Sequence, residues 1–233
     1  MASESKILLK DLLREVQKLE NDGLLDHPNA SHSERARGLY LRGRLLEAVG
    51  GVGDVVVAGE AGEDTASPGG HLKKSHSDDE LKTHNLDGAE QLLKKAAKLD
   101  PSLDGAWLTL AQLLWKKGDL EGAKNCYDAV LHKKPTNVAV HKKTLCQLSM
   151  LSRTLAKSNA KPGTEAQKRF VADSVLFAKA AVKLDLNDGY SWYQVGTAYM
   201  SAFFAQGATD KSKLLQGARC AFPKSSRLFT APT

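Results

Sequence analysis

The sequence predicts an all-α fold in which helical hairpins repeat along the chain. Ala89 and Ala123 are 34 residues apart, and so are Pro101 and Pro135. Repeats of this length are typical of stacked two-helix units that bury a continuous core. The composition agrees with this fold class, since charged residues make up 26% and aromatic residues 6% of the 233 residues.

The stretch 104–137 supplies the most complete repeat. Large apolar residues recur at i, i+3 and i+7 in a first helix, and a glycine turns the chain into a second helix that a proline ends. Small residues let the two helices approach closely, and an aromatic residue fills the gap above them. The residues concerned are Trp107, Leu110, Ala111, Leu114, Gly118, Ala123, Tyr127 and Pro135. Together they form the tetratricopeptide repeat (TPR) pattern.

The rest of the chain divides around this repeat. Residues 1–32 are predicted to form an amphipathic helix and a linker, and residues 33–222 a TPR array. Within the array, glycines crowd residues 50–84, a composition that cannot bury a core. We therefore expect a disordered insertion there, between the two helices of the first repeat.

Two more repeats are predicted after residue 137. In the third, the packing positions hold Leu145, Leu148, Ser149, Ser152 and, in its second helix, Ser174. In the fourth, they hold Trp192, Val195, Gly196 and Tyr199. The pattern fades from Gly207. Residues 223–233 are expected to be a disordered tail, as in a C-terminally truncated product.

Five lysine doublets contribute to the positive charge of the chain, whose formal net charge is +6. Such doublets are most simply solvated helix surface. The alternative, contact with an acidic partner such as RNA or the ribosome, stays open. The doublets are Lys73-Lys74, Lys94-Lys95, Lys116-Lys117, Lys133-Lys134 and Lys142-Lys143.

Several classes of protein are disfavoured by what the sequence lacks. The three cysteines are far apart and odd in number, so we expect no disulfide framework, and we expect no metal or other cofactor. No signal peptide or apolar run of membrane length occurs, which favours a cytoplasmic location, with the nucleus as a second. No catalytic motif can be assembled, so a binding module is favoured over an enzyme, and no DNA binding is expected.

The predicted binding site is the groove that first helices line in a TPR array. The residues at groove-facing repeat positions that we expect to bind a peptide are Gln112, Trp115, Gln147, Met150, Arg153, Tyr193 and Thr197. Arg153 stands out because a guanidinium can grip a carboxylate with paired hydrogen bonds. Two alternatives remain open: Arg153 pairing with Asp173, and Trp115 simply packing.

Several segments resemble the family of tetratricopeptide repeat protein 5 (Strap). The segments are LLKKAAKLDPSLDGAW, WKKGD, LSMLSR, VADSV and DGYSWYQVGTAYMSAFF. The last one includes the Phe203-Phe204 pair, which is unusual for a generic TPR. The resemblance covers roughly residues 33–215, outside the glycine-rich insertion.

This resemblance implies an adaptor that recognises the N-terminal residues of nascent tubulin at the ribosome and triggers decay of tubulin mRNA. The family's link to stress-response transcription implies a cofactor scaffold as an alternative. The arginine of the LSMLSR segment falls on Arg153, where the family contacts the acidic tubulin N-terminus. The family's further repeats and C-terminal OB-fold domain have no match in this sequence, so we expect part of the groove to be missing. A chaperone-docking TPR clamp needs a set of asparagines that the sequence does not offer.

Overall fold

The computed structural model describes residues 10–18, 30–51, 76–133, 135, 137–158, 161, 163–205 and 211–230. These residues form helices and connecting turns, with no strand among them. The helices are α1 (10–18), α2 (His32–Gly51), α3 (His76–Leu99), α4 (Asp104–Lys116), α5 (Leu120–His132), α6 (Val138–Ser158), α7 (Glu165–Leu184), α8 (Gly189–Ala205) and α9 (Lys211–Thr230). The predicted fold class, all-α with TPR helical hairpins, is confirmed. None of the described helices is long and apolar enough to cross a membrane.

The chain forms two compact units, Met1–Leu113 and Leu114–Thr233, and the boundary falls within α4. In the first unit α2 packs against α3. The two helices come close because Gly43 has no side chain; a Cβ atom there would lie 2.9 Å from the Cγ of Leu93. Gly43 thus allows the close helix approach that small residues allow in the second repeat.

The second helix of the first repeat begins earlier than the sequence predicts. The disordered insertion was expected to reach residue 84, whereas α3 starts at His76. The reason lies in the composition, because the glycines of the insertion end at Gly70 and no proline or glycine follows until Gly88. Residues 52–75, which contain most of the expected insertion, are outside the described residues.

Gly118 and Asp119 together make the turn between α4 and α5. The backbone N–H of Gly118 donates to the Trp115 carbonyl at 3.0 Å, and that of Asp119 donates to the Leu114 carbonyl at 2.9 Å. This pair of bonds is a Schellman motif, and Gly118 has the left-handed φ of +87° that it requires. The Asp119 carboxylate then accepts from the Gly122 N–H at 2.9 Å and so caps α5.

Replacing Gly118 with alanine should lower the free energy of unfolding by about 1 kcal/mol, because a side chain disfavours a left-handed φ. A Cβ atom at this position would meet nothing within 4 Å, so the effect is one of backbone strain alone. Chemical denaturation of the two proteins measures it. Gly118→Asn is the control, since asparagine tolerates this conformation and should lose less. Equal losses for both variants would contradict the explanation.

The second unit is built from α5 to α9. Its α6 packs against α7, α7 against α8, and α8 against α9. The largest side chains that are fully buried in it include Tyr127, Leu148, Leu151 and Leu155. Three of these four belong to α6, so α6 is the central helix of this unit and fixes the positions of the residues around it.

The C-terminal helix continues beyond the point where the sequence predicts disorder. The tail was expected to be disordered from residue 223, but α9 runs through Pro223 to Thr230. Ala218, Ala221 and Ser225 recur at i, i+3 and i+7 and are buried, so one face of α9 packs on α8. This packing outweighs the loss of one helical hydrogen bond at the proline. Residues 231–233 are outside the described residues.

The two repeat tryptophans are held in the same way. The Trp107 indole N–H donates to the carbonyl of Pro101 at 3.1 Å, and that of Trp192 donates to the carbonyl of Leu186 at 2.9 Å. Each indole therefore closes the turn six residues before it. Both were expected in the core, but both are half-buried, because their indole N–H groups point to partly exposed turns.

Candidate peptide-binding site

Arg153 lies on α6 with its guanidinium between α7 and α8. Its Nη1 donates hydrogen bonds to the Ser149 Oγ at 2.9 Å and to the Ser174 Oγ at 3.2 Å. Its Nη2 donates to the Gln194 Oε1 at 2.7 Å. All three partners are buried. The guanidinium is thus held in place by side chains that carry no charge.

No carboxylate in the described part of the chain pairs with this guanidinium. The pairing with Asp173 that the sequence left open is not formed, and Asp173 is exposed. Burial lowers the pKa of Arg153, and this effect is partly offset by Tyr190 and Tyr193. Arginine nevertheless stays protonated at neutral pH. The site therefore contains a largely desolvated positive charge without a counter-ion among the residues that the structure describes, an arrangement that favours binding of an anion.

Two serines supply hydroxyl groups that hydrogen-bond to the guanidinium. Ser149 and Ser174 occupy the small-residue positions of the third repeat, where the second repeat has Ala111 and Ala123. The Ser149 hydroxyl donates to the Ser174 carbonyl at 2.9 Å. Its oxygen is then turned to accept from Arg153. The helices keep their close approach, and the serines add polar atoms that alanines lack.

A cavity of about 400 Å³ opens beside Arg153. Cationic, polar and apolar side chains from α6 to α9 line it, and no acidic side chain is among them. The lining residues are Arg153, Ala156, Lys157, Gln167, Val171, Thr197, Met200, Ser201, Phe204, Ala205 and Phe222. The volume falls within the range of small-ligand sites, roughly 300–1,000 Å³.

Three other predicted site residues lie on the same two helices, α6 and α8. Thr197 lines the cavity with Arg153, and its hydroxyl donates to the carbonyl of Gln194 at 3.0 Å. The Met150 sulfur accepts a hydrogen bond from the Tyr190 hydroxyl at 3.3 Å. The ring of Tyr193 lies 6.2 Å from that of Phe222, a cavity residue. Met150 and Tyr193 themselves do not line the cavity.

The remaining three predicted residues are not among those that line the cavity. Gln147 and Trp115 are half-buried and do not line it. Gln112 belongs to the first compact unit. A role of these three side chains in binding a peptide therefore stays a prediction.

The predicted set of peptide-binding residues leaves out others that complete the site. Gln194 occupies a groove-facing position of the repeat, yet it is only 2% exposed and holds Arg153. Lys157 lies one helical turn beyond Arg153, a spacing that was visible in the sequence. Phe222 had no such signal, because it belongs to the stretch where the repeat pattern fades.

A second polar cluster holds the start of α6 in place through ion pairs. The Lys142 ammonium pairs with the Asp185 carboxylate at 2.8 Å and with that of Asp188 at 3.4 Å. Hydrogen bonding to Lys142 lowers the pKa of Asp185, and a backbone N–H at Asn187 lowers it further. The cluster ties α6 to the turn between α7 and α8, and so it fixes the helices that hold Arg153.

This cluster should make stability depend on pH. Because the Asp185 pKa is lower in the folded state than in the unfolded state, its contribution is complete above about pH 4 and is lost as the pH falls further. Lys142→Met should therefore destabilise the protein at pH 7, by less than about 1 kcal/mol because the pair is partly exposed. The difference should shrink toward pH 3 in denaturation experiments. Lys143→Met is the matched control, and the same loss in that variant would contradict the assignment.

Comparisons with known proteins agree with the repeat pattern. Residues 80–145 match the family model described as tetratricopeptide repeat. Two curated relatives named tetratricopeptide repeat protein 5, from Bos taurus and Mus musculus, are each 39% identical to this chain over 140 residues. The protein of the same name from Homo sapiens is 37% identical over 140 residues. The resemblance seen in the sequence segments is thereby confirmed.

The matches cover only part of each protein. In all three cases the aligned region is 60% of this chain and 29% of the relative. The matched region thus spans less than a third of the length of the curated relatives. The activities of those relatives as whole proteins are therefore only proposals for this chain.

Proposed function

We propose that this chain, a tetratricopeptide repeat protein similar to tetratricopeptide repeat protein 5, is an adaptor that binds a short peptide containing an acidic residue beside Arg153. The ligand that we propose is the one that the sequence resemblance implies, the N-terminus of nascent tubulin at the ribosome. Binding there would couple an excess of free tubulin to decay of tubulin mRNA. Because translating ribosomes are cytoplasmic, the proposal includes a cytoplasmic location.

The observation that supports this function best is the environment of Arg153. Its guanidinium is held by three neutral partners, borders an open cavity and has no carboxylate partner among the described residues. A purely structural arginine at a partly buried site is expected to pair with a carboxylate of its own chain. A peptide carboxylate would supply the missing charge, with hydrogen bonds worth roughly 1.5–3 kcal/mol.

The alternative, binding of RNA or the ribosome through lysine doublets, is less well supported. Lys142 is already engaged with Asp185 and Asp188, and Lys94 pairs with Glu90 at 2.5 Å. The first lysine of each of these two doublets is therefore partly neutralised within the chain. A nucleic-acid interface would instead present such charges to phosphates.

A ribosome pulldown tests the proposal. Purified protein is added to extracts that translate either tubulin or a control mRNA, and the recovered ribosomes are quantified. We expect wild-type protein to enrich tubulin-translating ribosomes, Arg153→Ala to lose the enrichment, and Arg169→Ala, an exposed arginine outside the cavity, to keep it. Equal recovery of both kinds of ribosome by the wild type, with steep salt dependence, would instead support the RNA alternative.

A further inference from the structure

We propose that the exposed face of α7 is a docking surface for an acidic amphipathic helix of another protein. This inference goes beyond the proposed function and does not depend on it, because none of the residues concerned lines the cavity beside Arg153. We call this face the α7 stripe. It consists of Arg169, Ala172, Leu176, Lys179 and Lys183, all of which are exposed.

The α7 stripe has the spacing of a helix–helix contact. Its members follow one another at i, i+3, i+7, i+10 and i+14, which is the spacing of the a and d positions through which two helices pack. The buried side chains of α7 lie on its other face, where the Ser174 hydroxyl accepts a hydrogen bond from Arg153 at 3.2 Å. A helix bound to the stripe would therefore leave the contacts of Arg153 unchanged.

The centre of the stripe is apolar. Leu176 is 63% exposed, although burying a leucine side chain is favourable. The small side chain of Ala172 lies one helical turn before it. A leucine beside an alanine offers a partner helix both a knob and a hole. The α7 stripe can thus accept an apolar side chain of a second helix.

Cations flank this apolar centre. None of Arg169, Lys179 and Lys183 forms an ion pair within the described part of the chain. The Lys179 ammonium lies 5.2 Å from the ring centroid of Tyr199, a contact that leaves its positive charge without a counter-ion. The three charges are complementary to acidic residues that flank the apolar seam of a partner helix.

The acidic residues of α7 near the stripe have cations of their own. The Glu165 carboxylate pairs with the Lys168 ammonium at 3.4 Å. Asp173 interacts with Lys124 on α5, whose pKa is raised first by its hydrogen bond to Asp128 and also by Asp173. The stripe therefore keeps a net positive charge, and we assign it to an acidic helix.

A designed helix tests the assignment. The probe is an acetylated and amidated peptide with three copies of the heptad Glu-Leu-Ala-Ala-Leu-Glu-Gln, which places leucines at a and d and mutually repelling glutamates at e and g. Calorimetry measures its binding to the full chain. We expect wild-type protein to bind it and Leu176→Asn to bind about tenfold more weakly. The double variant Lys179→Glu, Lys183→Glu should lose the probe and instead bind a version with lysines in place of the glutamates.

Variants of α1 are the matched controls. Leu13→Asn changes another exposed leucine, and the double variant Lys10→Glu, Lys18→Glu reverses two exposed lysines on one helix. Both should keep the affinity of wild-type protein, and thermal unfolding verifies that every variant folds.

Two results would overturn the assignment. One is no binding of the probe to wild-type protein, or equal losses for Leu176→Asn and Leu13→Asn. The other is binding of a uridine oligonucleotide that depends on the two lysines of the stripe and not on Leu176, which would assign the surface to RNA instead.

Discussion

Replacing Trp192 with alanine is expected to lower the free energy of unfolding by about 3 kcal/mol, the lower end of the range for tryptophan truncation, because the ring is half-buried. The indole packs against a cluster that includes Ala178, Val195 and Ala221, from three different helices. The Lys224 ammonium lies 4.3 Å above the ring and adds a cation–π contact from α9. Urea denaturation of the purified chain measures the loss.

Trp192→Phe separates packing from hydrogen bonding. Phenylalanine keeps most of the apolar contact but cannot donate to the Leu186 carbonyl, which remains accessible to water. The Trp192→Phe variant should lose about 1 kcal/mol of its free energy of unfolding. Losses of equal size for alanine and phenylalanine would show that the hydrogen bond, and not the packing of the repeat, dominates at this position.

Replacing Gln194 with leucine is expected to cost about 1–3 kcal/mol, because it leaves one nitrogen of the Arg153 guanidinium without its partner at a buried site. The cost arises from the charge, so removing the charge as well should relieve it. The double variant Arg153→Met, Gln194→Leu should therefore be more stable than the sum of the two single losses predicts. Thermal and urea unfolding of the four proteins complete the cycle.

Additive losses in that cycle would mean that Gln194 contributes to stability independently of Arg153. The guanidinium would then not depend on its neutral partners, and the reason for expecting an anion at this position would be weakened. A matched control is Ser201→Ala, which removes a cavity hydroxyl that is bonded to the Thr197 carbonyl and not to Arg153. It should show no coupling to Arg153.

The hairpin fold was predictable because it follows from local patterns. The spacing of small residues marked the helix contacts, and Gly118 with Asp119 marked the turn where the structure has both a Schellman motif and a helix cap. The same spacing predicts that Arg153 faces the groove, and this position stays a prediction. Each of these features depends on residues close together in sequence or one repeat apart.

The partners of Arg153 were not predictable in the same way. Gln194 holds the guanidinium from 41 residues away, a contact that repeat numbering assigns to the open groove. Phe222 reaches the cavity only because α9 stays helical through Pro223 and packs on α8. Such contacts depend on tertiary packing, which overrides the local signals that a single sequence carries.

Our central claim is that Arg153, a cation surrounded by neutral groups, binds a peptide carboxylate. Titration of the amidated peptide Met-Arg-Glu-Ile-Gly-Gly, and of its glutamate-to-glutamine version, into wild-type protein and Arg153→Ala tests it most directly. We expect the glutamine peptide to bind wild-type protein about 10- to 100-fold more weakly, and the two peptides to bind Arg153→Ala equally weakly. Equal affinity of wild-type protein and Arg153→Ala for the glutamate peptide would contradict the claim.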